Sequence, residues 1–78
     1  MKTKTSQLVR DYRTTKLRIT VRRAGEILGV HPIAFTHWEM GFRAPDLNAI
    51  RLMVHSKEFR SLGMLLITEI PGLRYDRN

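Results

Sequence analysis

Three observations predict an all-α domain of four to five helices. Apolar residues recur at helical spacing through nearly all of the 78 residues. The five glycines and three prolines are sparse, and most of them punctuate the periodic stretches. A hydrophobic fraction of 42% is enough to fold around a core and argues against a disordered chain. Residues 1–78 leave room for a single domain. A domain this small buries only about 60% of its unfolded surface, so a second copy of the chain is an expected source of stability.

The elements follow in order. Ser6 is a good N-cap residue, so a first helix is expected from there to about Thr15, with Leu8, Val9 and Tyr12 on its apolar stripe. Residues 16–19 read as a connection in which Leu17 and Ile19 turn inward. Thr20 then caps a second helix over about 21–28, whose Val21, Ala24, Ile27 and Leu28 share one face. Its capping box is incomplete, because Arg23 occupies the position that Glu or Gln would fill. Gly29 stops this helix just past its end. Gly29-Val30-His31-Pro32 is a tight turn in which His31 caps the next helix and Pro32, with φ already fixed, is its first residue. That third helix runs over about 32–40 with Phe35 and Trp38 inward, and Gly41 ends it.

Phe42-Arg43-Ala44 reads as a loop, with Phe42 either exposed or tucked beneath it. Pro45 is expected to open a fourth helix as its first residue, with Leu47, Ile50, Met53 and Val54 as the apolar stripe. Beyond His55 two readings stand. Ser56 caps a helix over 57–67 with Phe59, Leu62, Leu65 and Leu66 inward, or Leu65 to Ile70 forms a short strand. Gly63 and the β-branched residues weaken the helix, yet overall propensity still favours it. Pro71-Gly72 reads as a turn before a loose tail.

Charge narrows the function. The formal net charge is +7. Residues 1–23 carry eight Lys and Arg against Asp11 alone, whereas the charges of residues 24–78 cancel. A basic patch confined to one third of the chain is an electrostatic footprint for a polyanion, although a solvated surface has the same composition. The absence of cysteine excludes a disulfide framework and thiolate zinc, and fits the cytoplasm. His31, His37 and His55 are too scattered for a metal site, so no metal or cofactor is expected. The longest wholly apolar run, Met64 to Ile67, is far below the roughly 18 residues of a membrane span. No apolar stretch follows the basic start, so no signal peptide and no membrane partner are expected. Ser6, Ser56 and Ser61 lie in no nucleophile motif and no glycine-rich phosphate loop is present, which makes an enzyme an unpromising reading.

Two helices joined by a turn holding Gly29 and Val30 form a helix-turn-helix pattern. Leu28-Gly29-Val30, followed by Trp38-Glu39-x-Gly41-x-Arg43-Ala44-Pro45, resembles the Cro/C1-type (XRE) helix-turn-helix family. The likeness covers roughly residues 8–55 and extends to Val9-Arg10-x-x-Arg13 in the first helix, with about one extra residue before the second. It implies a lambda-repressor-like fold in which the third helix enters the DNA major groove. It also implies an internal hydrogen bond or ion pair for Glu39, which sits near a helix C-terminus where an anion is disfavoured. The chain departs from the family pattern at Val21, where Gln commonly contacts the DNA backbone. It departs again at Ala24 and Gly25, which stand for a larger Leu and an Ala, and at His31, which replaces a Ser or Thr cap.

The outward residues of the third helix are then the expected base readers: Pro32, Ile33, Thr36 and His37, with Ala34 beside them. Ile33 and His37 are one turn apart on one face. His37 suits a purine edge, and Ile33 or Ala34 a thymine methyl. Arg22, Arg43 and Arg13 are the expected phosphate contacts. The resulting expectation is a repressor or autorepressor that binds a palindromic operator in double-stranded DNA as a homodimer, with residues 57–70 as its dimerisation segment. Its small size likens it to phage and mobile-element regulators. The rival reading is an antitoxin whose Leu62 to Ile70 segment covers a protein partner; a non-specific nucleic-acid binder is a third.

Overall fold

A capping box starts the first helix three residues before Ser6. In the computed structural model, which describes residues 3–69, α1 spans Lys4–Asp11 and Thr3 is its N-cap. Thr3 Oγ1 accepts from the Ser6 amide at 3.0 Å, and Ser6 Oγ accepts from the Thr3 amide at 2.7 Å. Ser6 is therefore the buried third helical residue and not the cap, because a threonine three positions upstream satisfies the free amides first.

Helical backbone does not end at Thr15 but widens into a π-helical segment, Tyr12–Leu17. The amides of Arg18 and Ile19 both donate to the Arg13 carbonyl. The hydroxyls of Thr14 and Thr15 donate back to the carbonyls of Arg10 and Asp11, which competes with regular helix bonds. Arg18 closes the segment in the left-handed region at φ 55°. Lys16 and Leu17 thus belong to this widened turn and not to a loose connection.

The helix-turn-helix unit forms as expected. α2 covers Val21–Leu28, and its N-cap Thr20 accepts from the Arg23 amide. α3 covers Pro32–Met40. His31 does cap it, with Nδ1 accepting from the Ile33 amide at 3.0 Å. The turn between them lies directly on α2: a Cβ added at Gly25 would meet the Val30 carbonyl oxygen at 2.7 Å and Pro32 N at 3.3 Å. The small Gly25 therefore lets the turn pack closer than a side chain would allow.

α4 spans Leu47–Val54 and is capped by Asp46, whose Oδ1 accepts from the Ala49 amide at 2.9 Å. Pro45 is buried one residue before that cap and is not the first helical residue. Asp46 takes the cap because its carboxylate can accept an amide proton, which the preceding Pro45 cannot do. α5 spans Arg60–Glu69, so residues 65–69 are helix and not strand. Its start is three residues later than position 57. Ser56 Oγ accepts from the Phe59 amide in the turn that precedes it. Ile70, Pro71-Gly72 and the tail lie outside the described residues.

Five α-helices, the π-helical segment and no strand make up the described residues. α3 packs against α1 and α2, α4 pairs with α5, and α5 reaches back to α1. Val9, Phe35, Ile50, Met53, Phe59 and Leu66 are wholly buried at the centre. Phe35 links the two halves, with its ring 5.2 Å from Trp38 and 5.9 Å from Phe59. Of the apolar residues expected inward on the last helix, Leu62 and Leu66 of α5 and Phe59 in the turn before it are buried, while Leu65 is 40% exposed and Ile67 is buried in its stead. No helix among the described residues is long and apolar enough to cross a membrane.

Candidate nucleic-acid interface

One face of α3 is anchored and the other is open. Phe35, Trp38 and Glu39 are buried on the anchored side. Glu39 would be costly there without a partner, since burial penalises an unpaired charge. Arg13 supplies the partner. Its Nε donates to Glu39 Oε2, its second terminal nitrogen donates to Oε1 at 3.0 Å, and the first donates to the Ile19 carbonyl at 2.8 Å. The two side chains are 13% and 5% exposed. This bidentate bridge ties the π-helical segment and the residues entering α2 to the last turn of α3. The internal partner expected for Glu39 is thereby identified.

The same bridge removes Arg13 from the expected phosphate contacts. The three donors it commits and its low exposure leave it a positioning residue for α3. The sequence pattern cannot separate these roles, because a basic residue on the first helix looks alike whether it faces solvent or a buried carboxylate.

The open side of α3 carries the four expected base readers. Ile33 is 57% exposed, and Pro32, Thr36 and His37 are half-buried. His37 and Ile33 line one groove together with Arg43 and with Asn48 and Leu52 of α4. Thr36 lines a second groove on the other flank of α3, with Arg10, Val21, Met40 and Phe42. Arg43 and Arg22 are exposed, as a phosphate contact requires. Arg43 sits in the groove of Ile33 and His37, whereas Arg22 lies in the first turn of α2.

Two residues missing from the sequence reading of the site, Arg10 and Met40, join this surface, as does Phe42, which that reading left open between the DNA face and the loop. Arg10 is exposed at the edge of the second groove. Met40 is 45% exposed at the end of α3. Phe42, which the sequence left as exposed or tucked, is 61% exposed with its ring 5.7 Å from that of His37. Gly41, at φ 79°, makes the reversal that sets Phe42 beside His37.

The site can therefore offer an imidazole and a hydroxyl for hydrogen bonds, exposed aliphatic groups for methyl contacts, and guanidinium groups at both flanks. No family model, no curated protein and no solved structure matches this chain.

Proposed function

We propose that this protein is a sequence-specific DNA-binding transcriptional regulator of the Cro-like kind, a cytoplasmic repressor that binds a palindromic operator as a homodimer. One observation carries the reading. α3 is fixed on its buried side by Phe35, Trp38 and the Arg13–Glu39 bridge, while its opposite side leaves Ile33, Thr36 and His37 accessible between grooves edged by Arg43 and Arg10. A rigid helix with an accessible polar and apolar face, flanked by cations, suits insertion into a major groove walled by phosphates.

Homodimerisation is supported by α5. Met64 is 54% exposed and Leu65 40% exposed on a helix whose other side is buried. The same surface is what an antitoxin would offer a toxin, and that remains the rival reading of α5.

The test is selection of bound sequences by the purified chain from a random double-stranded DNA pool at physiological salt. A palindromic consensus with half-sites about one helical turn apart is the expected result. On that consensus, His37→Ala relaxes base preference at one position by about 1–3 kcal/mol. Enrichment of no sequence would overturn specific recognition and leave the basic surface to non-specific binding. A consensus without two-fold symmetry would overturn the homodimer.

A further inference from the structure

α3, with sequence Pro32-Ile-Ala-Phe-Thr-His-Trp-Glu-Met40, contains no Arg, Lys, Asn or Gln. The side chains that form bidentate hydrogen bonds to guanine or adenine are thus absent from the helix that faces the proposed DNA. What α3 exposes most is aliphatic: Ile33 at 57% and Met40 at 45%, with Thr36 and His37 between them. Positions 33, 36, 37 and 40 fall on one face of a helix.

We infer that α3 reads C5-methyl groups of pyrimidines in the major groove, Ile33 meeting one methyl and Met40 another, with His37 supplying the one strong polar contact between them. The inference rests on the DNA-binding reading above and states what feature of the DNA that site recognises. The spacing is consistent. Seven residues of helix advance about 10 Å, close to three base-pair steps of about 3.4 Å each. Methyl groups lie on the major-groove edge of thymine, and of 5-methylcytosine, where an apolar side chain excludes water from them.

The flanks favour a nucleic acid over an apolar protein as the occupant. Arg43 borders the groove beside Ile33 and His37, and Arg10 borders the groove beside Thr36 and Met40. The carboxylates in those grooves are engaged within the fold: Glu39 by Arg13, and Asp46 as the cap of α4. An aliphatic stripe between two arginine-edged grooves matches a groove floor of methyl groups between walls of phosphate.

The experiment starts from the DNA duplex selected by the full chain, resynthesised with deoxyuridine in place of each thymidine in turn, with affinity read by fluorescence anisotropy. Two positions per half-site, about three base pairs apart, are expected to lose affinity by about fourfold or more, the transfer free energy of one buried CH₂. Ile33→Ala abolishes the thymine-over-uracil preference at one of them and Met40→Ala at the other. Both residues are exposed, so neither substitution threatens the fold. Cytosine at those positions weakens binding, and 5-methylcytosine restores part of it, which separates a methyl contact from an effect of duplex shape. Tolerance of uracil at every position, with sequence selectivity intact, overturns methyl recognition and leaves the DNA-binding regulator standing. Uracil sensitivity that survives in both alanine variants overturns the assignment to α3. Failure to select any sequence overturns both the inference and the reading beneath it.

Discussion

Arg13 and Glu39 show how one pair of side chains can separate stability from binding. Both are largely buried, and together their bonds fasten the π-helical segment to the end of α3. Removing one partner leaves the other charge buried and uncompensated, a loss of about 3–5 kcal/mol. Arg13→Ala and Glu39→Ala are each expected to lower the urea midpoint sharply, whereas the double replacement Arg13→Met/Glu39→Leu recovers most of the loss because no lone charge remains. Equal destabilisation by the double variant would show that the bridge contributes more than mutual compensation. The exposed Arg43 behaves oppositely. Arg43→Ala leaves urea stability within about 0.5 kcal/mol of the parent and lowers the salt slope of DNA binding by about 1. A loss confined to one operator sequence would mean that Arg43 contacts a base. At this scale the sequence announced that Glu39 needed a partner, through its unfavourable place at a helix C-terminus, but not which arginine would supply it. Arg13 does so from the π-helical segment, four residues beyond the buried Val9.

Among the elements, legibility followed the strength of local signals. α2 and α3 were readable to the residue because Thr20 caps through its own hydroxyl while Gly29, Pro32 and Gly41 act through backbone geometry, all local signals. The π-helical segment was not readable, since it arises from two threonine hydroxyls and a left-handed Arg18 that have no fixed sequence signature. Gly63 weighs against a helix by propensity, yet it sits inside α5 because α4 passes close by. A Cβ at Gly63 would meet the Met53 Cβ, the Val54 amide nitrogen and Val54 Cγ2 at 2.9 Å. Gly63→Ala is therefore expected to cost about 1–3 kcal/mol through overpacking, although alanine is the better helix former by about 1 kcal/mol. A stabilised variant would show that α4 and α5 can separate without loss. The turn gives a paired case. Gly29 has φ 78° with open space around its missing side chain, so Gly29→Ala carries only backbone strain of about 1–2 kcal/mol. Gly25→Ala must push back the Val30 carbonyl and Pro32, shifting the start of α3. Chemical denaturation is expected to rank Gly25→Ala as the more damaging, and DNA affinity measured on the folded fraction should fall for it alone.

For the molecule as a whole, two separate exposed surfaces, one on α3 and one on α5, suggest a division of labour. Arg10 from the N-terminal third and Arg43 edge the open side of α3, while the exposed Met64 and Leu65 lie on α5. On the proposed function these are separate tasks, one surface for DNA and one for a second copy. They ought to be separable by mutation. Met64 and Leu65 are adjacent on α5 and more than a third exposed, so Met64→Glu/Leu65→Glu removes little from the core but places like charges on both sides of a two-fold contact. The expected result is a folded chain with unchanged helical circular dichroism that sediments as a monomer at concentrations where the parent is a dimer. Binding to a full palindromic operator should then fall to the level of a single half-site, with the base preference of each half-site preserved, because α3 is untouched. Unchanged sedimentation would remove α5 from the dimer contact. A monomeric parent whose α5 face instead captures a protein encoded beside it would turn the same surface toward the antitoxin reading, with DNA binding through α3 retained for autoregulation.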